Sequence, residues 1–160
     1  MKLAVSMWSY FRPWRDGKID IPGFIHEAKR VGADGVELLD FFYKGQGTNS
    51  VAALTADEVA SERERAKKAL EESGLEIPIF SVAQNFAKMD DAEREVQLDK
   101  VKFGVDEAQL FGAKVVRVFA GDVADGITLE QAYDWIIEGL SAASTYAETK
   151  GVKLALENHG

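Results

Sequence analysis

The sequence predicts an α/β protein of the (β/α)8 barrel type, here an incomplete barrel of about five parallel strands joined by four crossover helices. Three observations predict it. Short apolar, β-branched segments recur at residues 3–8, 35–39, 77–82, 114–119 and 152–157, with helical patterns between them. Their spacing of roughly 30 to 40 residues is that of a βαβ unit, which parallel strands require because a tight turn cannot join them. The third observation is parity. One face carries Leu3, Val5 and Met7, then Val36 and Leu38, Phe80 and Val82, Val116 and Val118, and Leu154 and Leu156. The other carries Ser6, Trp8, Glu37, Ser81, Asn85, Arg117, Phe119, Lys153 and Glu157. An open sheet covered by helices on both sides reads apolar on both faces. A barrel closes one face on itself, and its mouth tolerates polar side chains and ligands.

Each helix has its own signals. Pro22 suits a first helical turn, and Phe24, Ile25, Ala28 and Val31 follow at helical spacing before Gly32. Thr55 with Glu58, and Thr128 with Gln131, fit the capping box and start helices over residues 56–72 and 129–150. A longer helical stretch, continuous or broken once, covers residues 91–111 and ends at Gly112. The loops at residues 11–18 and 44–50 are polar and carry glycine, and in a barrel they belong to the functional end. Residues 1–160 read as one partial barrel domain.

Composition narrows the function classes. With 46% hydrophobic and 29% charged residues the chain reads as an ordinary soluble domain. Twenty-seven acidic against 19 basic residues give a charge of −8, which repels a nucleic-acid backbone. No cysteine is present, so disulfides and thiolate metal sites are excluded, and any metal must sit on carboxylates, imidazoles and water. The opening MKLAVSMWSYFRPWR lacks the apolar run of a signal peptide, and no stretch reaches membrane-spanning length. The expectation is a cytoplasmic protein with no membrane or nucleic-acid partner.

The segments MKLAVSMWSY, GADGVELLD, KVVRVFAG and above all GVKLALENHG resemble the xylose isomerase-like sugar phosphate isomerase and epimerase family. That family takes in tagatose and psicose epimerases, inosose-related enzymes and, distantly, endonuclease IV. The ENH that ends the fifth strand segment is the specific part. The resemblance implies a metal-dependent TIM barrel, with divalent Mn, Co, Mg or Zn held by a Glu after the fifth strand and by an Asp, a His and a Glu after the next three. Only the first of those positions lies in this sequence, at Glu157. A barrel of this kind takes about 250 residues, so the resemblance implies an N-terminal portion, inactive alone and with no metal necessarily bound.

Glu157 is therefore the candidate catalytic residue and metal ligand, with a merely solvated strand-end carboxylate as the bland alternative. His159 shares its parity and is a candidate substrate contact, or a mobile residue beside the terminus. Glu37 and Arg117 point inward, either as substrate contacts or as a buried ion pair, since an unpaired interior charge is costly. Trp8 offers an apolar wall for a sugar ring or simply core, and Phe119 offers the same less strongly. Trp14 is a candidate lid, and Asn85 can hydrogen-bond a hydroxyl. His26 has no ligand partner at the right spacing and reads as structural.

In the chemistry the resemblance implies, a carboxylate removes a proton beside a carbonyl and a second returns it. Two other readings stay open. One is a non-catalytic half-barrel fragment or engineered piece that only folds and self-associates. The other, weakest on two histidines and an acidic balance, is a metal nuclease like endonuclease IV. Five strands leave two unpaired edges, so a homo-oligomer, most simply a dimer, is expected.

Overall fold

The computed structural model describes residues 1–43 and 55–158. Within it the chain forms two compact units, Met1–Ile79 and Phe80–Gly160.

In the first unit, β1 (Ala4–Ser6) and β2 (Gly35–Leu39) pair in parallel, with Ala4 opposite Gly35 and Ser6 opposite Glu37. Gly35 also meets Glu76 in a parallel bridge, and a β-carbon on Gly35 would lie 2.7 Å from the Glu76 carbonyl oxygen. Only glycine permits that approach. Helix α1 (Phe11–Arg15) follows a 3-10 turn at Met7–Tyr10, and α2 (Ile21–Arg30) buries Ile21, Phe24, Ile25 and Ala28. Asp20 caps α2 by accepting from the Gly23 N–H at 2.8 Å. After the short α3 (Asp40–Tyr43), α4 (Ala56–Ser73) begins at the Thr55–Glu58 capping box and ends at left-handed Gly74. Its buried stripe of Val59, Ala66, Ala69 and Ser73 is made of small residues, which lets α2 pack close.

In the second unit, β3 (Phe80–Ser81), β4 (Val115–Phe119) and β5 (Lys153–Glu157) are parallel and paired in that order. Helix α5 (Asp91–Phe111) is continuous, capped by Asp90 and closed by Gly112, and α6 (Leu129–Thr149) starts at the Thr128–Gln131 box. Two glycines set how closely these helices approach. A β-carbon on Gly104 would lie 2.2 Å from Val82, and one on Gly139 would lie 2.3 Å from the Phe86 ring. The Tyr146 hydroxyl donates to Asp106 at 2.8 Å and ties α6 to α5.

Every described strand ladder is parallel and joins consecutive strands, as the spacing predicts. The apolar parity is also borne out, since Val36, Leu38, Phe80, Val82, Val116 and Val118 are all buried. On the outermost strand segments it is open to solvent, with Leu3 57% and Leu156 59% exposed.

Three local expectations need correction. The third strand is only Phe80–Ser81 and not residues 77–82, Pro78 having no N–H to give to a ladder. The first strand is shorter than residues 3–8, because the Ser6 hydroxyl accepts from the Trp8 N–H at 3.3 Å and starts a 3-10 turn that takes Trp8 out of the strand. Part of the expected 11–18 loop is the helix α1. The expected loop at 44–50 lies outside the described residues.

Candidate functional site

Functional side chains in a parallel α/β fold collect where strands end and loops begin, because the loops are free to vary while the strands hold them in place. Each unit has such an end.

In the second unit, the register sets Phe119 opposite Glu157 and Arg117 opposite Ala155, so Arg117, Phe119 and Glu157 share one parity. The Arg117 Nε lies 3.3 Å from a Glu157 carboxylate oxygen, and the guanidinium sits 4.1 Å from the centre of the Phe119 ring. The cation is thus held between a carboxylate and an aromatic face. The Arg117 side chain is only 12% exposed, whereas that of Glu157 is 46% exposed and open to a ligand.

Next to this group, the buried Gln84 pairs with the main chain of Phe119. Its amide nitrogen donates to the Phe119 carbonyl at 2.5 Å, and its oxygen accepts the Phe119 N–H at 3.2 Å. A side chain thereby continues the β3–β4 ladder for one more rung and fixes Phe119. Asn85 is a loop clamp. Its Oδ1 accepts from the Ala87 N–H at 2.8 Å, its Nδ2 donates to the Asp122 carbonyl at 2.9 Å, and its own N–H donates to Gln97 at 3.1 Å. One lone pair and one N–H of the carboxamide remain for a hydroxyl.

In the first unit the strand ends carry rings. Trp8 stacks on Phe11 with centroids 5.1 Å apart and meets Phe41 at 5.7 Å, and Trp14 meets Phe42 at 4.7 Å. Phe42 is buried while Trp8 is 57% exposed, so the cluster is anchored below and presents an indole face above. Glu37 is half-buried at the centre of β2, between the buried Val36 and Leu38. His159 lies outside the described residues. His26 is on the surface, 3.6 Å from Glu72.

The structure brings Arg117, Phe119 and Glu157 together and sets Trp8 in a ring cluster, to which the sequence reading did not assign Phe11 or the Phe41–Phe42 pair; nor did it single out Gln84. The adjacent phenylalanines directly after a strand were the available signal. For Gln84 there was none, since its role depends on a contact 35 residues away.

Comparison with known proteins places the chain. The xylose isomerase-like TIM barrel family matches residues 25–160. The chain belongs to that family. Among solved structures, a D-tagatose 3-epimerase-like protein is 19% identical with a TM-score of 0.73, covering 99% of this chain and 53% of the other. The probable 3-DHS dehydratase AsbF of Bacillus anthracis is 19% identical with a TM-score of 0.72, again over 99% and 53%. A xylose isomerase-like TIM barrel protein from Mycobacterium smegmatis, in complex with magnesium, is 18% identical with a TM-score of 0.67 over 99% and 55%. At these identities the likeness is one of fold, and the chain spans about half the length of the solved structures it matches. No curated protein matches. The architecture is therefore TIM-barrel-like, with five strands of an incomplete barrel in these 160 residues.

The magnesium in one relative raises the question of a metal here. Among the described residues no group of three or more His, Cys, Asp or Glu side chains could hold an ion. A divalent cation takes several oxygen or nitrogen donors, and Glu157 supplies one carboxylate. The described residues do not fit a resident metal by themselves. No helix among the described residues is long and apolar enough to cross a membrane.

Proposed function

We propose that this chain carries the strand-one-to-five portion of a sugar or sugar-phosphate isomerase or epimerase, metal-dependent as a complete barrel, working in the cytoplasm. The observation that supports the reading most is Glu157. It is a half-exposed carboxylate at the end of β5, beside a guanidinium that is itself stacked on a ring. A carboxylate so placed can take a proton from the carbon next to a carbonyl, the step that leads to an enediolate. Arg117 restrains the carboxylate's orientation. Phe119 and, at the other strand ends, Trp8 offer apolar faces of the kind that pack against the C–H side of a sugar ring. Glu37, Asn85 and His159 complete the proposed substrate contacts. Glu157, with residues of a complete barrel, would hold a divalent ion, which would supply Lewis-acid charge to favour this proton transfer. The described residues lack the set that holds it, so no isomerase or epimerase turnover is expected from them alone.

Ligand-observed NMR with D-tagatose and D-fructose tests the reading. Saturation transfer to at least one ketose is expected, weakened in Arg117→Met and Trp8→Ala. No transfer to any sugar tested would overturn it.

Self-association belongs to the same proposal. Leu129, Tyr133 and Ile137 recur one helical turn apart on α6 and are exposed, as are Leu3 and Leu156. A second copy of the chain covering the α6 residues makes a homodimer, which light scattering on a size-exclusion column at micromolar concentration reads directly. A monodisperse monomer there would contradict it.

A further inference from the structure

A cavity of about 440 Å³ opens between the loop after β3 and the loop after β4, and two lysines, Lys88 and Lys100, line it. We propose that this cavity is an oxyanion site that takes the phosphate or carboxylate group of a small molecule.

The first argument is charge pairing. The chain carries an excess of eight negative charges, and its half-buried lysines otherwise sit against carboxylates. Lys67 lies 3.4 Å from Glu64, Lys102 lies 3.2 Å from Asp99, and Lys150 lies 3.1 Å from Asp106. Lys88 and Lys100 are half-buried as well, yet among the described residues neither has an ion pair, and both face the same cavity. Two like charges that line one cavity repel each other, and an anion bound there is attracted to both.

The second argument is donor orientation. Gln97 lines the cavity too, and its Oε1 is engaged by the Asn85 N–H at 3.1 Å. That bond fixes which end of the amide is which and leaves its NH₂ as a donor. The one carboxylate in the lining, Asp122, is solvent-exposed, and its main-chain carbonyl is already taken by Asn85 Nδ2. Two ammonium groups and an amide donor therefore outweigh one wet carboxylate.

The third is rigidity. Asn85 binds both loops together, and a β-carbon on Gly121, at φ +121°, would fall 2.2 Å from the Asn85 Oδ1. The wall is held in place before any ligand arrives, which lowers the cost of binding. The volume lies within the ordinary range for small-molecule sites and exceeds one phosphate group, so an organic portion fits beside the anion. The inference rests on these groups alone and stands whether or not the ligand is a sugar.

Isothermal titration of the full chain with inorganic phosphate, and separately with malonate, at constant ionic strength set by chloride, tests the site. Saturable binding is expected, weakened about tenfold by each of Lys88→Gln and Lys100→Gln and abolished in the double variant. The pair Lys29→Gln and Lys114→Gln, two exposed lysines that have no ion pair among the described residues, should leave it unchanged. Binding of phosphate alone assigns a phosphoryl group, and binding of malonate alone a carboxylate. A thermal melt confirms that each variant folds, and the single substitutions carry the test if the double one does not. No saturable binding of either anion would overturn the proposal, and so would binding that survives the double substitution or falls equally in the control pair.

Discussion

At the ends of β1 and β2 the side chains are rings, whereas at the ends of β3, β4 and β5 amides and charges gather around the single ring of Phe119. Both regions occupy the same place in a strand-and-helix repeat, yet they are held by different forces. Trp8, Phe11, Trp14, Phe41 and Phe42 cohere by apolar contact, which has no fixed partner and tolerates adjustment. Gln84, Asn85, Arg117 and Glu157 are held by directed bonds between residues up to 40 positions apart. A ring cluster can lose one exposed member cheaply. A hydrogen-bonded end cannot lose a buried member without stranding its partner.

The largest effect expected from this contrast lies inside the ring cluster. Phe42→Ala removes a buried ring and should cost about 3–5 kcal/mol of unfolding free energy, whereas Trp8→Ala at the exposed top should cost less than about 1 kcal/mol. Urea denaturation compares the two. Equal losses would mean that Trp8 is core and not a presented face.

The polar end gives a smaller and more specific effect. Gln84→Leu keeps the bulk but removes both bonds to the main chain of Phe119, for an expected loss of about 1–3 kcal/mol. Gln84→Glu retains the acceptor and loses the donor, and it should fall between wild type and Gln84→Leu. A Gln84→Leu variant as stable as wild type would show that directed bonds do not hold this end.

The smallest effect depends on pH and sharpens the contrast away from both ends. Asp20 is partly buried, which raises its carboxyl pKa, but the Gly23 N–H and the paired Arg65 guanidinium outweigh burial and hold it below its ordinary value. A carboxyl depressed in the folded state contributes stability that is present above the unfolded pKa and is lost as pH falls through the folded one. Asp20→Asn should therefore cost less than about 1 kcal/mol at neutral pH. The difference from wild type should shrink below about pH 4. A gap that widens on acidification would reverse the assignment.

What the sequence revealed follows the same division. Helix starts at Thr55 and Thr128 and the end at Gly112 were legible because capping is local, settled within four residues. Strand parity was legible because it needs only alternation, and the inward set of Arg117, Phe119 and Glu157 came from it. The turn that removes Trp8 from β1 depends on one serine hydroxyl competing with the ladder, a contest that periodicity does not register. Arg117 was expected to pair with Glu37, and its pairing with Glu157 was not foreseen because it depends on the register of β4 against β5, which alternation within a single strand leaves open.

Glu157 is a carboxylate held beside Arg117, and we propose that it is one member of a metal-ligand set the described residues do not complete. Titration with Mn²⁺ followed by electron paramagnetic resonance, on the wild-type chain and on Glu157→Gln, tests it most directly. A single carboxylate predicts binding weaker than about 1 mM in both proteins. Binding at about 10 μM or tighter that disappears in Glu157→Gln would show a finished metal centre in this chain and contradict the account.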